Sequence, residues 1–361
     1  MDVTDIRAQN IKKILSSLRH TDGFTKNEIA IMTELSFSTV SNLCNELKAK
    51  GVLLEEKLTG SSVGRTPSRQ IFAHDRFGSV CLDFQQGKTL NVAVLSFANE
   101  LLYQSQVPLE GIEDRETLLD RTRGAAAEAM GRFPELSVVG IGVSIPGIYD
   151  AAERYISSVS VPLLHKLPLK DFLEEEFHIP CYIENESNLC VIAAGQKHEG
   201  VRNILYLYSS FGLGVGVICE GQLLRGASGF AAEIAHIPVG AGDLVCPVCG
   251  SNSCAERYLS MRGLEPPEGV NEGAFYAERG EKLGVLLSVL VNLFDPGIVY
   301  LGGPGFSGYD RLMPYARPVM NRRCSEYARA ALRIYHDPES LRTIETGTNQ
   351  MIYEAWSPLG D

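Results

Sequence analysis

The chain has 361 residues, 45% of them hydrophobic, and a formal net charge of −11. It is long enough for two or three domains with separate cores. It is too acidic to bind nucleic acid along its whole length, and it has no apolar run of the roughly 20 residues that a membrane span requires. The polar, acid-bearing start MDVTDIRAQN does not read as a secretory signal. Nine cysteines are an odd number, and six of them are scattered, so reduced thiols in a cytoplasmic protein fit better than a disulfide framework.

The average charge hides an asymmetry. Residues 1–80 carry 11 basic against 9 acidic side chains, a net of +2, whereas the remainder carries 22 against 35. In that first segment Ile11, Ile14, Leu15 and Leu18 mark one face of an amphipathic helix. Thr25 and Glu28 form a capping box that opens a short helix to about Met32. Ser36 caps a further helix with Val40, Leu43, Cys44 and Leu47 inward and Gly51 at its end. Two short helices joined by a tight turn form a helix-turn-helix. The outward positions of the second helix, Ser38, Thr39, Ser41, Asn42 and Asn45, carry short hydrogen-bonding groups suited to base edges and phosphates. Strands at 52–57 and 69–72 then flank Gly64-Arg65-Thr-Pro67, a wing whose Arg65 is slim enough to enter a minor groove. A small helical domain that uses a polar hairpin for protein contacts has the same local pattern.

From Phe77 onward strands and helices alternate, the mark of an α/β domain. A hairpin covers 79–84 and 90–97, followed by a helix at about 115–133 and a buried strand at 138–144 that ends in Ile145-Pro146-Gly147. A helix at about 169–177 and a strand at 181–183 run into Glu184-Asn185-Glu186-Ser187-Asn188. A second set begins at Asn203: strand, Gly-rich turn at 212–216, strand, a cysteine cluster, a long helix at about 272–294, the strand 298–301 and the loop Gly302-Gly303. The repeated order implies two similar lobes around a cleft. The cluster itself is His236 followed by Cys246-Pro-Val-Cys249 and Cys254, the ligand types of a closed tetrahedral zinc site, with Glu233 and Glu256 close by. Three clustered cysteines are also compatible with plain buried thiols. Asn185 and Glu184 are equally compatible with simple helix caps.

Together these residues resemble the ROK family (repressors, open reading frames and sugar kinases) over nearly the whole chain. The match rests on the winged helix with its Gly-Arg-x-Pro wing, Ile145-Pro146-Gly147, the run 184–188, Gly226 to His236, the cysteines with Glu256, and Asp295 to Gly303. The resemblance implies a winged helix-turn-helix at 1–76 and a two-lobed, ribonuclease-H-like fold of the actin and hexokinase type. Its lobes would span 77–190 and 191–361, the second carrying the zinc knuckle and the dimerisation surface. It further implies one structural Zn2+ on His236, Cys246, Cys249 and Cys254, although the family usually has Cys-x-Cys where this chain has Cys-x-x-Cys. Sugar contacts would fall to Asn185, Glu186, Glu233, His236 and Glu256.

The family's kinases use the aspartate of a Glu-Asn-Asp run as base, and here that position is Glu186. Their first phosphate loop, Asp-x-Gly-Gly-Thr, is Asp83-Phe84-Gln85-Gln86-Gly87, and their Gly-Thr-Gly is Ser210-Phe211-Gly212. Bulky residues stand where backbone amides must approach phosphate, and moving a base by roughly 1 Å costs about 10²-fold in rate. The expectation is therefore a non-enzymatic, sugar-responsive regulator, a repressor, bound to a palindromic operator as a homo-oligomer, dimer or tetramer. The alternatives are an active hexose or N-acylhexosamine kinase with a fused DNA-binding domain, or a helix-turn-helix protein whose second domain only dimerises it.

Overall fold

The computed structural model describes all residues except 1–2, 20, 59–67, 86–87, 151–152, 159–160, 199, 228 and 360–361, and omits the side chains of residues 3–5. The N-terminal unit comprises α1 (Val3–Leu18), β1 (Phe24–Thr25), α2 (Lys26–Thr33), α3 (Phe37–Ala49), β2 (Leu53–Lys57) and β3 (Ser68–Phe72). Its helix starts are set locally. The Thr25 side chain accepts from the Glu28 amide while Glu28 reaches back to Thr25, and Ser36 accepts from the Thr39 amide. β3 pairs antiparallel with both β1 and β2, which makes the three-stranded sheet of a winged helix. The tip between β2 and β3, with Arg65, lies outside the described residues.

Next come β4 (Phe77–Asp83), β5 (Thr89–Ser96), β6 (Leu101–Pro108), α4 (Arg115–Gly131), β7 (Ser137–Ile145), β8 (Ile148–Asp150), β9 (Tyr155–Ser157), α5 (Leu169–Phe177) and β10 (Cys181–Asn185). After α6 (Glu186–Lys197) the second set is β11 (Ile204–Ser209), β12 (Leu213–Cys219), β13 (Gln222–Leu223), α7 (Ala255–Leu259), α8 (Met261–Leu264), α9 (Glu272–Phe294), β14 (Ile298–Gly302), α10 (Tyr309–Arg323), α11 (Glu326–Ala331), β15 (Arg333–Asp337) and α12 (Ser340–Ala355). The two five-stranded sheets have the same design. In β10-β7-β4-β5-β6 and in β15-β14-β11-β12-β13 an antiparallel meander continues into two strands parallel to its first member. Strands buried on both faces explain the continuous apolar runs at 204–208 and 298–301. Each lobe has its own core, one around Val80, Val92, Ile141 and Leu173, the other around Leu205, Val215, Leu286 and Leu301. Among the described residues no helix is long and apolar enough to cross a membrane, and all nine cysteines are free thiols.

Two helices join the lobes. α6 lies on β11 and β12, α12 lies on β4 and β7, and the pair pack on each other. They touch through backbone: a Cβ on Gly347 would sit 1.9 Å from the Leu189 carbonyl oxygen. The far end of α12 enters the core of the winged helix, where Ile352, Tyr353 and Trp356 join Leu15, Leu18, Leu53 and Phe72.

Candidate functional site

The cysteine cluster closes as its spacing implies. His236, Cys246, Cys249 and Cys254 each turn one ligand atom inward, and all four atoms lie within 4.8 Å of one another. His236 Nδ1 is 3.6 Å from Cys246 Sγ, and Cys249 Sγ is 3.1 Å from Cys254 Sγ. Tetrahedral zinc, with bonds of about 2.0–2.3 Å, needs ligand separations of roughly 3.5–3.8 Å, so the donor set fits with adjustments of about 1 Å. Backbone amides of Cys249 and Val248 hold the Cys246 thiol down to about 7, a thiolate-favouring environment. Burial among its fellow sulfurs pushes Cys254 up to about 12.

The loop is tied to its carboxylates by main chain. The Val239 amide donates to the Ser253 carbonyl, Ala255 to Ile237 and Glu256 to Ala235, at 2.8 Å, 2.9 Å and 2.9 Å. Glu256 is therefore laced to the segment that carries Glu233 and His236. The Glu233 carboxyl is raised by desolvation and by Glu256, with His236 opposing. The Tyr258 hydroxyl braces the knuckle by accepting from the Leu244 amide and donating to the Asn252 carbonyl, each at 3.1 Å.

The other half of the site comes from the first lobe. Parallel register sets Asp83 and Glu184 on either side of Ser144, so the ends of β4 and β10 converge, and Glu186 follows as the first residue of α6. Asp83 and Glu186 are buried, and Asp83 Oδ1 and Glu186 Oε1 have no hydrogen-bond partner among the described residues. Burial raises both carboxyls, Asp83 to about 6, and the charge of Asp83 raises Glu186 further. Asn185 is committed to scaffold: its amide donates to the Gly147 carbonyl at 2.8 Å and its oxygen caps α6 through the Ser187 amide at 2.9 Å. Glu184 pairs with Arg225 of the loop that leads to Glu233. The two halves meet across the β11–β12 turn, where a Cβ on Gly214 would be 3.1 Å from Ser187 Oγ and one on Gly212 would be 3.4 Å from Glu256 Oε2. Direct contacts between Asn185 or Glu186 and Glu233, His236 or Glu256 are not among those described. Nearby, a cavity of about 610 Å3 opens between the lobes, lined among others by Gln85, Gln104, Gly303, His336 and Arg342.

On the winged helix, α3 presents Ser38, Asn42 and Asn45 to solvent and leaves Thr39 and Ser41 half-buried. Several are already engaged. The Ser38 and Thr39 hydroxyls lie 2.9 Å and 2.8 Å from that of Ser36, and Lys26 donates to Asn45 at 2.7 Å. Phe37, the first residue of α3, is 53% exposed, and its exposure cannot be told from sequence because a large apolar residue beside an apolar stripe has the pattern of a core position.

The family model described as the ROK family matches residues 80–269, more than half of the chain. The chain belongs to the ROK family. Among its relatives, a xylose repressor from Caldicellulosiruptor bescii is 26% identical over 349 residues, 86% of each chain. Among solved structures, a ROK family transcriptional regulator described as a homologue of the E. coli MLC protein superposes with a TM-score of 0.83 at 17% identity, over 97% of both chains. The ROK hexokinase from Thermus thermophilus superposes with a TM-score of 0.62 at 24% identity, over 76% of this chain and 98% of its own. These likenesses establish the fold: a winged helix joined to a two-lobed, hexokinase-like ROK domain. The share that the hexokinase leaves unmatched is about the size of the winged-helix unit.

Proposed function

We propose that this ROK protein is a sugar-responsive, DNA-binding transcriptional repressor that binds its effector in the interlobe cleft without phosphorylating it. The observation that carries the reading is what stands at the first phosphate loop beside a winged-helix unit. Gln85 stands at the first of the two glycine positions of the kinase loop, where its side chain accepts from Asn91 at 3.3 Å, and Phe84 before it is wholly buried in the first-lobe core. An amide cradle for phosphates needs bare, glycine-like backbone at such positions. Names of relatives as xylose repressors support the same reading. The carboxylates of Glu186, Glu233 and Glu256, the second N–H of the Asn185 amide and the His236 imidazole would form a set of charged and neutral partners for hydroxyl groups. His236, Cys246, Cys249 and Cys254 would hold one zinc ion, which in a closed four-ligand site supplies folding energy and no reaction chemistry. Ser38, Thr39, Ser41, Asn42, Asn45 and Arg65 would face a palindromic operator from a homodimer or tetramer in the cytoplasm, with recognition helices about 34 Å apart or a multiple of it.

A thermal-shift panel of D-xylose, D-glucose and N-acetyl-D-glucosamine tests the cleft. A sugar at about 100 times its dissociation constant should stabilise the protein by about 2.7 kcal/mol. Glu256→Ala should remove that shift, and no ADP should be released from ATP with any sugar. Robust ADP release sinks the regulator-only reading in favour of a kinase with a fused DNA-binding domain. A panel without any shift favours a domain that only dimerises the winged helix.

A further inference from the structure

Beside its apolar core, the junction between the ROK domain and the winged helix contains polar groups that lead back to the cleft. Arg19, just after α1, is buried; its Nε donates to the Phe97 carbonyl at 3.3 Å, its Nη1 donates to Gln350 Oε1, and its guanidinium centre lies 3.9 Å over the Tyr353 ring. Arg19 Nη2 has no partner among the described residues. The same Gln350 oxygen accepts from Gln196 Nε2, and the Gln350 amide donates to Glu354 at 2.5 Å. Gln196 is on α6, the helix that starts with Glu186 in the cleft, ten residues or about 15 Å away along a rigid axis. Gln350 is on α12, whose first turn, Ser340 to Arg342, lines the interlobe cavity. One side-chain carbonyl therefore joins the helix that carries the cleft acid, the helix that borders the cavity, and the DNA-binding unit.

We propose that Gln350 is the joint through which the cleft acts on the winged helix, Gln196 and Arg19 sharing its oxygen so that movement of α6 against α12 changes the hold on Arg19. This rests on the effector reading above and names its route. An amide oxygen has two lone pairs, and here both are in use. When closure around a ligand shifts α6, the Gln196 bond strains or breaks, and Gln350 reorients. The buried guanidinium, already short of one partner, then loses a second and keeps only the Phe97 carbonyl and the Tyr353 ring, which favours a different seating of the winged helix. Both packed helices must move for this, which makes the change a discrete alternative packing rather than a graded bend.

The chain carries its own reporter. Its single tryptophan, Trp356, ends α12 with its ring 6.3 Å from Phe72 of the winged helix and 4.8 Å from Phe77 of the first lobe. In the full-length protein, titration with the panel sugar that raises the melting temperature should change Trp356 emission. Gln196→Leu removes one donor outside the cleft: the sugar midpoint should stay within about twofold, while the emission change falls by roughly two- to tenfold, the worth of one neutral hydrogen bond. Gln196→Lys, which restores a donor, should recover most of it. A full emission change in Gln196→Leu at unchanged sugar affinity overturns the joint alone. Absence of any thermal shift across the panel overturns the effector reading and removes the joint's input with it.

Discussion

Cys254→Ser should cost the protein its metal and its response to sugar while leaving the winged helix folded. Cys254 is wholly buried, immediately precedes α7 and sits in the short ladder that binds residues 253–256 to 235–239. Without a metal the cluster is three thiols and an imidazole crowded within 4.8 Å, held only by main-chain hydrogen bonds and the Tyr258 brace. Structural zinc in small modules supplies roughly 10–16 kcal/mol of apparent binding free energy, all of it folding energy. Here the loop has other anchors, Tyr258 and the Lys282 bond to the Ala241 carbonyl at 2.6 Å, so a loss of several kcal/mol confined to the knuckle is expected rather than global unfolding. Elemental analysis should give about one zinc per wild-type chain and none in the variant. The sugar-induced thermal shift should disappear in the variant and in chelated wild type, and return to the latter on adding Zn2+. Loss of zinc with a normal sugar shift in Cys254→Ser would show that the cluster does not position Glu233 and Glu256, and retention of stoichiometric zinc would remove Cys254 from the ligand set.

How much of this could be read from the residues depends on how local the determinant is. The capping groups Thr25, Glu28 and Ser36, the apolar stripe of α3 and the full extent of α9 are written in spacings of three or four residues, and the structure has them where the sequence implies. The metal cluster is likewise local, spanning 19 positions. β6 and α12 are different. β6 is a half-exposed strand with Gln104 and Gln106 on it, and its pairing with β5 gives it its form. α12 contains Thr343, Thr346, Gly347, Thr348 and Asn349, poor helix formers that give the segment little helical signal of its own. It is helical because it fits between two lobes and because they satisfy its polar groups: Asn349 accepts from Ser79 Oγ at 2.7 Å and donates to the Ser96 carbonyl at 2.9 Å. The pairing of Asp83 with Glu186 is also non-local, fixed by the parallel register of β4, β7 and β10. That pairing is invisible in the chain, yet it sets the electrostatics of the cleft floor.

Asp83→Asn should raise the stability of the protein at pH 8 and flatten its decline between about pH 4 and 6. Burial lifts the Asp83 carboxyl to about 6, an effect that Ser144 and Asn91 oppose and Glu345 reinforces. The folded state thus binds a proton more tightly than the unfolded chain, whose aspartate titrates near 3.9. Where the folded state holds the extra proton, stability falls as pH rises, so the penalty accumulates between those two values and persists in full above them. An offset of about two pH units corresponds to about 3 kcal/mol. Asparagine is neutral, nearly isosteric and keeps an oxygen for Asn91, so Asp83→Asn should remove most of that cost, a gain of roughly 2–3 kcal/mol near neutrality and little below pH 4. Glu186 should then ionise more readily, because the charge of Asp83 is one cause of its raised pKa. Melting temperatures of both proteins from pH 4 to 8 decide the matter; a variant less stable than wild type at pH 8 sinks the account. The same repulsion bears on sugar binding. Hydroxyl groups that donate to two crowded carboxylates relieve their desolvation, and such bonds are strongest to the ionised forms. Sugar should therefore stabilise the wild type more at pH 8 than at pH 5, and in Asp83→Asn that difference should shrink to the part owed to the other raised carboxyls, Glu186 and Glu233.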